Sequence, residues 1–196
     1  MNISIKKLLS ILLFSSSILG MSMSIANAQV NMQGFGISEI RAGVLAHSVD
    51  RPGPNDEPLN LTRIEDISFE ILFFSPNIDA FKWIGSPRPN LGATINTKGR
   101  ESKAHFALTW SANIFDSGFF VEGSLGAAIH NGALDGVTEP ARKLGTRVLF
   151  YEAAGIGYNI GDDFNIILFA EHASNANLAS PNKGLSNLGI KLGYKF

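Results

Sequence analysis

Asn187-Leu188-Gly189-Ile190-Lys191-Leu192-Gly193-Tyr194-Lys195-Phe196 closes the chain. Leu188, Ile190, Leu192, Tyr194 and Phe196 share one parity, and Asn187, Gly189, Lys191, Gly193 and Lys195 share the other. Successive side chains of a strand point to opposite faces, so this alternation reads as a β-strand with one apolar and one polar face.

The same pattern recurs upstream. Phe106, Leu108, Trp110, Ala112 and Ile114 oppose Lys103, His105, Thr109, Ser111 and Asn113. Phe119, Val121, Leu125, Ala127 and Ile129 oppose Glu122, Ser124 and His130, and Ile67, Phe69, Ile71 and Phe73 oppose Asp66, Ser68 and Glu70. Read this way the chain holds eight strands, about 36–48, 63–74, 89–97, 103–115, 118–130, 146–160, 163–174 and 185–196. Many exceed the ~5–6 residues usual in soluble sheets and suit a tilted membrane strand. In lipid every backbone group must be paired, so such a sheet has to close on itself.

Composition agrees. Charged residues make up 17% of the 196-residue chain, below the ~25% usual in soluble proteins. Mean hydropathy is slightly positive, yet no apolar run reaches the ~18 residues of a membrane helix. A net charge of -1 gives no reason to expect nucleic acid. The chain has no cysteine, which excludes disulfides, thiolate metal sites and a cysteine nucleophile.

The N-terminus reads as an export signal. Lys6 and Lys7 precede the apolar stretch Leu8 to Leu19, and Ala26-Asn27-Ala28 is a small-x-small cleavage site. Residues 1–28 are then a signal peptide, and 29–196 the mature domain. The fold expected is all-β, an eight-stranded antiparallel transmembrane β-barrel of the bacterial outer membrane. Eight strands leave an interior filled by side chains, with no pore. Inward Glu39, Arg41, Asp66, Glu70, Glu122, Glu171 and Lys191 would pair with one another there. A soluble sandwich or lipocalin-like barrel would put the apolar face inside, and alternation alone does not distinguish the two.

The connections supply an orientation. Asp116-Ser117-Gly118 and Gly161-Asp162-Asp163 are tight turns, whereas 49–62, 131–145 and 175–184 are long. Bacterial barrels keep short turns periplasmic and long loops outside. Segment 75–88, with Pro76 and Pro87, departs from this scheme as a longer periplasmic connection. The terminal Leu-x-Ile-x-Leu-x-Tyr-x-Phe face also resembles the signature by which such barrels are handed to the barrel assembly machinery.

One strand breaks its own pattern. Ile166, Leu168 and Ala170 share a parity with His172 and Ser174. The two polar residues come at the outer end, just before a long loop. A His and a Ser two apart on a strand point the same way, and an imidazole can take the hydroxyl proton to make the serine a nucleophile. Two polar residues tolerated at a membrane interface would look the same.

The run His172-Ala173-Ser174-Asn175-Ala176-Asn177-Leu178, followed by Pro181-Asn182-Lys183-Gly184, resembles the His-x-Ser-Asn-Ala signature of the PagL-type lipid A 3-O-deacylase family. Looser similarity extends to Arg41 through His47, Pro89 through Thr97 and Gly126 through Gly132. The resemblance implies hydrolysis of the ester-linked acyl chain at position 3 of lipid A, the lipopolysaccharide component of the outer leaflet. It makes Ser174 the nucleophile and His172 the general base. Amide donors near Asn175, Asn177 and Asn182 would hold the oxyanion, with no cofactor. The family has a glycine where Asn177 stands. It also has a glutamate that orients the histidine, at the position that is Ser186 here.

Three arrangements fit a serine there: a His-Ser pair that works alone, a substitute carboxylate, or a barrel without activity. Parity selects the substitute. Glu171 faces the lumen, whereas Glu152 shares the lipid-facing parity of Val148, Phe150, Ala154, Ile156 and Tyr158. A three-residue hairpin loop at 161–163 pairs 160 with 164 and so places 152 opposite 172. Glu152 is therefore the candidate that orients His172. His47, His105 and His130 are scattered and do not form ligand spacing, so no metal is expected. Arg51, Lys98, Arg100, Arg142, Lys143 and Lys183 lie in or near outer loops, where they could meet lipid A phosphates. The competing function is a structural small outer-membrane barrel without catalysis.

Overall fold

The computed structural model describes residues 36–51, 59–137 and 141–196. The signal segment and its cleavage site lie outside the described residues. Eight strands follow one another: β1 (Ile37–Ala46), β2 (Ile64–Phe73), β3 (Arg88–Asn96), β4 (Lys103–Asn113), β5 (Phe119–His130), β6 (Val148–Ile160), β7 (Phe164–Ser174) and β8 (Leu185–Lys195). Each pairs antiparallel with its neighbour, and β1 pairs with β8 to close the barrel. Closure leaves no edge strand, so every strand finds its backbone partners within the sheet. The sequence placed the strands to within a few residues. β1 ends two residues early because Ser48 takes a left-handed conformation, φ 54°, and turns the chain. A helix that the sequence did not reveal, α1 (Asp79–Trp83), lies in the β2–β3 connection.

The faces resolve which side is apolar. Val44, Phe69, Phe106, Leu125, Phe150, Leu168 and Ile190 are all exposed on the outer wall, whereas Glu39, Arg41, Asp66, Glu70, Glu171 and Lys191 are buried in the bore. That is the reverse of a soluble barrel, and it is the arrangement a hydrocarbon surround favours.

The bore is filled. Arg41 Nε donates to Glu39 (2.7 Å) and its Nη1 to Glu122 (2.7 Å). Lys103 Nζ donates to Glu171 (2.7 Å), and Lys191 Nζ to Glu70. Arg88 reaches Glu39 at 2.6 Å, and Asn165 donates to the same carboxylate at 2.8 Å. Leu45, Phe120, Ile167 and Phe169 pack as an apolar cluster between these ions, and the Lys191 ammonium lies 3.5 Å from the Phe169 ring centroid. The inward carboxylates expected from parity therefore have cationic or amide partners, which is the condition for burying charge. His105 stacks on Tyr151 with centroids 4.0 Å apart, and His130 Nε2 bonds the Thr146 carbonyl at 2.7 Å.

Candidate active site

Register sets the site. Leu125 pairs with Glu152, Glu152 with His172, and His172 with Ser186, so one row of outward side chains crosses β5 to β8. The next row outward holds Ala127, Phe150 and Ser174. His172 and Ser174 are half-buried on the lipid-facing wall, and Ser174 is the last residue of β7. Their placement follows from β7 itself: Phe164, Ile166, Leu168 and Ala170 fix the outward parity, and two more steps bring the polar pair to the strand's outer end.

The imidazole is held from the β8 side. Its Nδ1 lies 2.8 Å from Ser186 Oγ. Gly184, just before β8, lies against the other edge of the ring. A Cβ built there would come 2.8 Å from His172 Cε1 and 3.3 Å from Nε2. Gly184 also has φ +55°, a conformation that costs an L-residue about 1–2 kcal/mol. Among the described residues no hydrogen bond joins His172 to Ser174 or to Glu152. Glu152 stands directly across the ladder on the same face, where opposed Cβ atoms are about 5 Å apart. Its carboxylate is exposed on the wall.

Gly184→Ala is expected to displace the ring. Any turnover that uses this imidazole should fall about tenfold or more, while the heat-modifiable mobility typical of a folded barrel is retained. Unchanged turnover in a folded variant would show that the ring edge facing Gly184 is not the working edge.

The three asparagines occupy different stations. Asn175 is buried and its amide nitrogen donates to the Leu144 and Pro181 carbonyls, both at 3.1 Å. Its backbone N–H donates to Asn182 Oδ1 at 3.2 Å, and Asn182 Nδ2 donates to Asn177 Oδ1 at 3.2 Å. Ala176 and Asn177 both adopt left-handed backbone, φ 52° and 61°. Asparagine is among the few non-glycine residues that visit this region readily, so Asn177 keeps a turn that a glycine would make. The N–H groups of Ala176 and Asn177 carry no hydrogen bond among the described residues.

A clasp that the sequence did not disclose ties this loop to the others. Arg142 donates to Ser48 Oγ (3.0 Å), to the Lys183 carbonyl (2.9 Å) and to Asp50, and its backbone N–H donates to Glu101 at 2.6 Å. Lys183 N–H in turn donates to the Lys143 carbonyl (3.1 Å). At Gly145 the β7–β8 loop passes so close that a Cβ would lie 2.1 Å from the Pro181 carbonyl oxygen. Arg142 is therefore committed to the loops rather than presented to solvent, unlike the outer-surface cation expected from sequence. Arg100 is likewise paired, with Glu65 at 2.7 Å.

Beneath the clasp His47 bridges Asp66 (2.9 Å) and Glu101 (3.1 Å). Burial opposes its charge, but the bonds to the two carboxylates outweigh it and raise its pKa above 6.5. For Glu101 burial also opposes charge, yet the bonds from His47 and the Arg142 N–H hold it down to about 2. The His47 contribution is present below its ordinary pKa and lost as pH rises through the raised value. The Glu101 contribution is present above its ordinary range and lost as pH falls towards about 2. The clasp is thus tightest from mildly acidic pH to neutrality. Amide exchange at Arg142, corrected for intrinsic chemistry, should accelerate above neutral pH in the native chain, and His47→Gln should remove that step. A flat profile in the native chain would contradict the linkage.

Two continuous depressions flank the polar row. One, of about 420 Å³, lies at Phe150, Glu152, His172, Ser174 and Ala176. The other, of about 520 Å³, runs along the wall past Gly123, Ala154 and Ala170 to Trp110. Small side chains in the row Gly123, Ala154, Ala170 create that second hollow. Together they form a trough that starts at Ser174 and descends the apolar exterior.

No curated protein matches the chain by sequence. The crystal structure of the outer membrane enzyme PagL superposes with TM-score 0.53 at 17% identity, covering 81% of this chain and 100% of that one. The N-terminal β-barrel domain of Pseudomonas aeruginosa OprF gives TM-score 0.53 at 12% identity, covering 82% and 98%. These likenesses establish the barrel fold. The family model for lipid A 3-O-deacylase (PagL) matches residues 73–195, from the end of β2 to the last strand residue. That span exceeds half of the chain and contains the whole polar row, so the chain belongs to the PagL family of lipid A deacylases, hydrolases of the outer membrane.

Proposed function

We propose that the chain is a serine-type esterase that removes the ester-linked 3-O acyl chain of lipid A. The observation that carries this reading is the position of Ser174 and His172: on the lipid-facing wall, at its outer end, at the head of an apolar trough. Lipid A fills the outer leaflet, so a nucleophile there meets its ester without extracting the lipid from the membrane. The export signal at 1–28 and cleavage after Ala28 belong to the same reading.

Ser186 Oγ, 2.8 Å from Nδ1, is placed to accept its proton. With Nδ1–H donated to Ser186 Oγ, Nε2 is left as the base. Ser174 Oγ attacks the carbonyl carbon while Nε2 takes its proton; contacts of this kind often tighten only when substrate is bound. The unengaged N–H groups of Ala176 and Asn177, with the Asn182 amide, receive the oxyanion. Asn175 contributes by tying the loop. As the carbon–oxygen bond to the sugar breaks, the imidazolium returns its proton to the leaving hydroxyl. Water then hydrolyses the acyl-serine by the same route and releases a fatty acid. Glu152 supplies the negative charge that offsets the imidazolium across the row. A carboxylate exposed to lipid is costly without such a partner. Lys143 and Lys183, whose backbones are joined by a hydrogen bond, would supply cations for the headgroup phosphates.

A fluorophosphonate probe tests the nucleophile. It should label the refolded chain at Ser174 and fail to label His172→Ala. Labelling at another serine, or labelling independent of His172, would overturn the assignment. A purely structural barrel is the second reading; it is favoured by one observation, the neutral Ser186 where the family has an acid.

A further inference from the structure

The β2–β3 connection does not belong to the polar row, and its surface is unusual. Trp83 is 89% exposed, Ile78 53% and Phe74 49%. Helix α1 contains no buried residue. In the neighbouring β4–β5 turn Phe115 is 91% exposed and has φ 52°, a conformation that bulky residues rarely adopt. Four large apolar side chains thus stand clear of the protein on two adjacent connections at the barrel's periplasmic end.

The segment is ordered by specific bonds. Phe81 and Lys82 N–H donate to the Ile78 carbonyl, Gly85 N–H to Lys82 and Ser86 N–H to Phe81. Trp110 Nε1–H donates to the Ile84 carbonyl at 2.7 Å. Trp110 has the outward parity of Phe106 on β4, so this bond anchors the segment to the lipid-facing wall rather than under the bore. A Cβ at Gly85 would lie 3.5 Å from the Trp110 ring, in ordinary contact. The exposed aromatics are therefore held outside the barrel, at the level where its wall leaves the hydrocarbon.

We propose that α1 and Phe115 form an interfacial foot that docks in the headgroup boundary of the periplasmic phospholipid leaflet and fixes the depth of the barrel. Tryptophan and other aromatics favour that boundary, where a ring sits among glycerol and carbonyl groups. Lys82, more than half exposed and lying 3.7 Å from Asp79, is within reach of lipid phosphates. The foot is independent of the catalytic reading, and its test does not use turnover.

The chain has no cysteine, so Trp83→Cys and Phe115→Cys each accept a single nitroxide. Both are refolded into phosphatidylethanolamine–phosphatidylglycerol vesicles, with Lys98→Cys in an outer loop as the water-facing reference. The oxygen-to-nickel-chelate collision ratio at 83 and 115 should exceed that at 98 by roughly threefold or more. Ratios equal to the reference would overturn the foot and leave a periplasmic protein as the occupant. Native fluorescence provides a second readout. The emission lost in Trp83→Phe should be quenched by lipids brominated near the carbonyl. Emission insensitive to those lipids but open to aqueous acrylamide would also overturn it.

Discussion

Replacing Ser174 with alanine is expected to lower acyl release by a factor on the order of 10⁴ or more, while leaving the barrel intact. The size follows from the role. Without Oγ there is no acyl-serine, and what remains is the oxyanion donors and the orientation of the ester in the trough. The fold should not register the change. Ser174 is half-buried at a strand end, and its hydroxyl makes no hydrogen bond among the described residues. Its loss should shift stability by less than about 0.5 kcal/mol, as for a surface substitution. Turnover measured beside the heat-modifiable gel shift separates the two effects. Substantial activity in a folded Ser174→Ala barrel would remove the serine from the mechanism.

The second large effect is a gain. Ser186 stands where the family resemblance implies a glutamate that orients the histidine, and its hydroxyl lies 2.8 Å from Nδ1. It supplies direction without charge. In Ser186→Glu the carboxylate would accept the same Nδ1–H and offset the imidazolium that forms when Ser174 gives up its proton. A hydrogen bond to a charged group contributes roughly 1.5–3 kcal/mol, so kcat should rise on the order of ten- to a hundredfold. Glu152 is coupled to this change. In the native background Glu152→Gln should lower kcat about tenfold, because the row loses its only carboxylate. In the Ser186→Glu background the same replacement should matter little, since the new acid is nearer the ring. A double-mutant cycle measures that dependence. Additive effects would show that Glu152 acts elsewhere than on His172.

Period-two alternation was sufficient to place all eight strands, because each is long and carries its polar residues mainly on one parity, with Glu152, His172, Ser174 and Ser186 as the departures that form the site. Inside and outside could not be separated that way. The answer came from Arg41 on β1, which meets Glu122 on β5 across the bore, and from Lys103 and Lys191 meeting Glu171 and Glu70. The short loop 161–163 fixed the β6–β7 register, so the facing of Glu152 and His172 could be counted in advance. What His172 bonds could not. Rotation of the ring towards β8 depends on Ser186 and on the space left by Gly184, which is side-chain geometry rather than spacing. The clasp was hidden for a related reason. Arg142, Glu101, Ser48, Asp50 and Lys183 come from four loops that share no sequence pattern, and only the closed barrel brings them together. Helix α1 was masked by the prolines around it, and its single turn is too short to show helical periodicity.

On the proposed mechanism this wall hydrolyses one particular ester. Mass spectrometry of lipid A tests it most directly, after lipopolysaccharide carrying a 3-O hydroxyacyl chain has been incubated with the refolded protein and with Ser174→Ala. Loss of one hydroxyacyl chain, from position 3, is expected with the native protein only. Unaltered lipid A with the folded native barrel, or loss of a chain from another position, would contradict it.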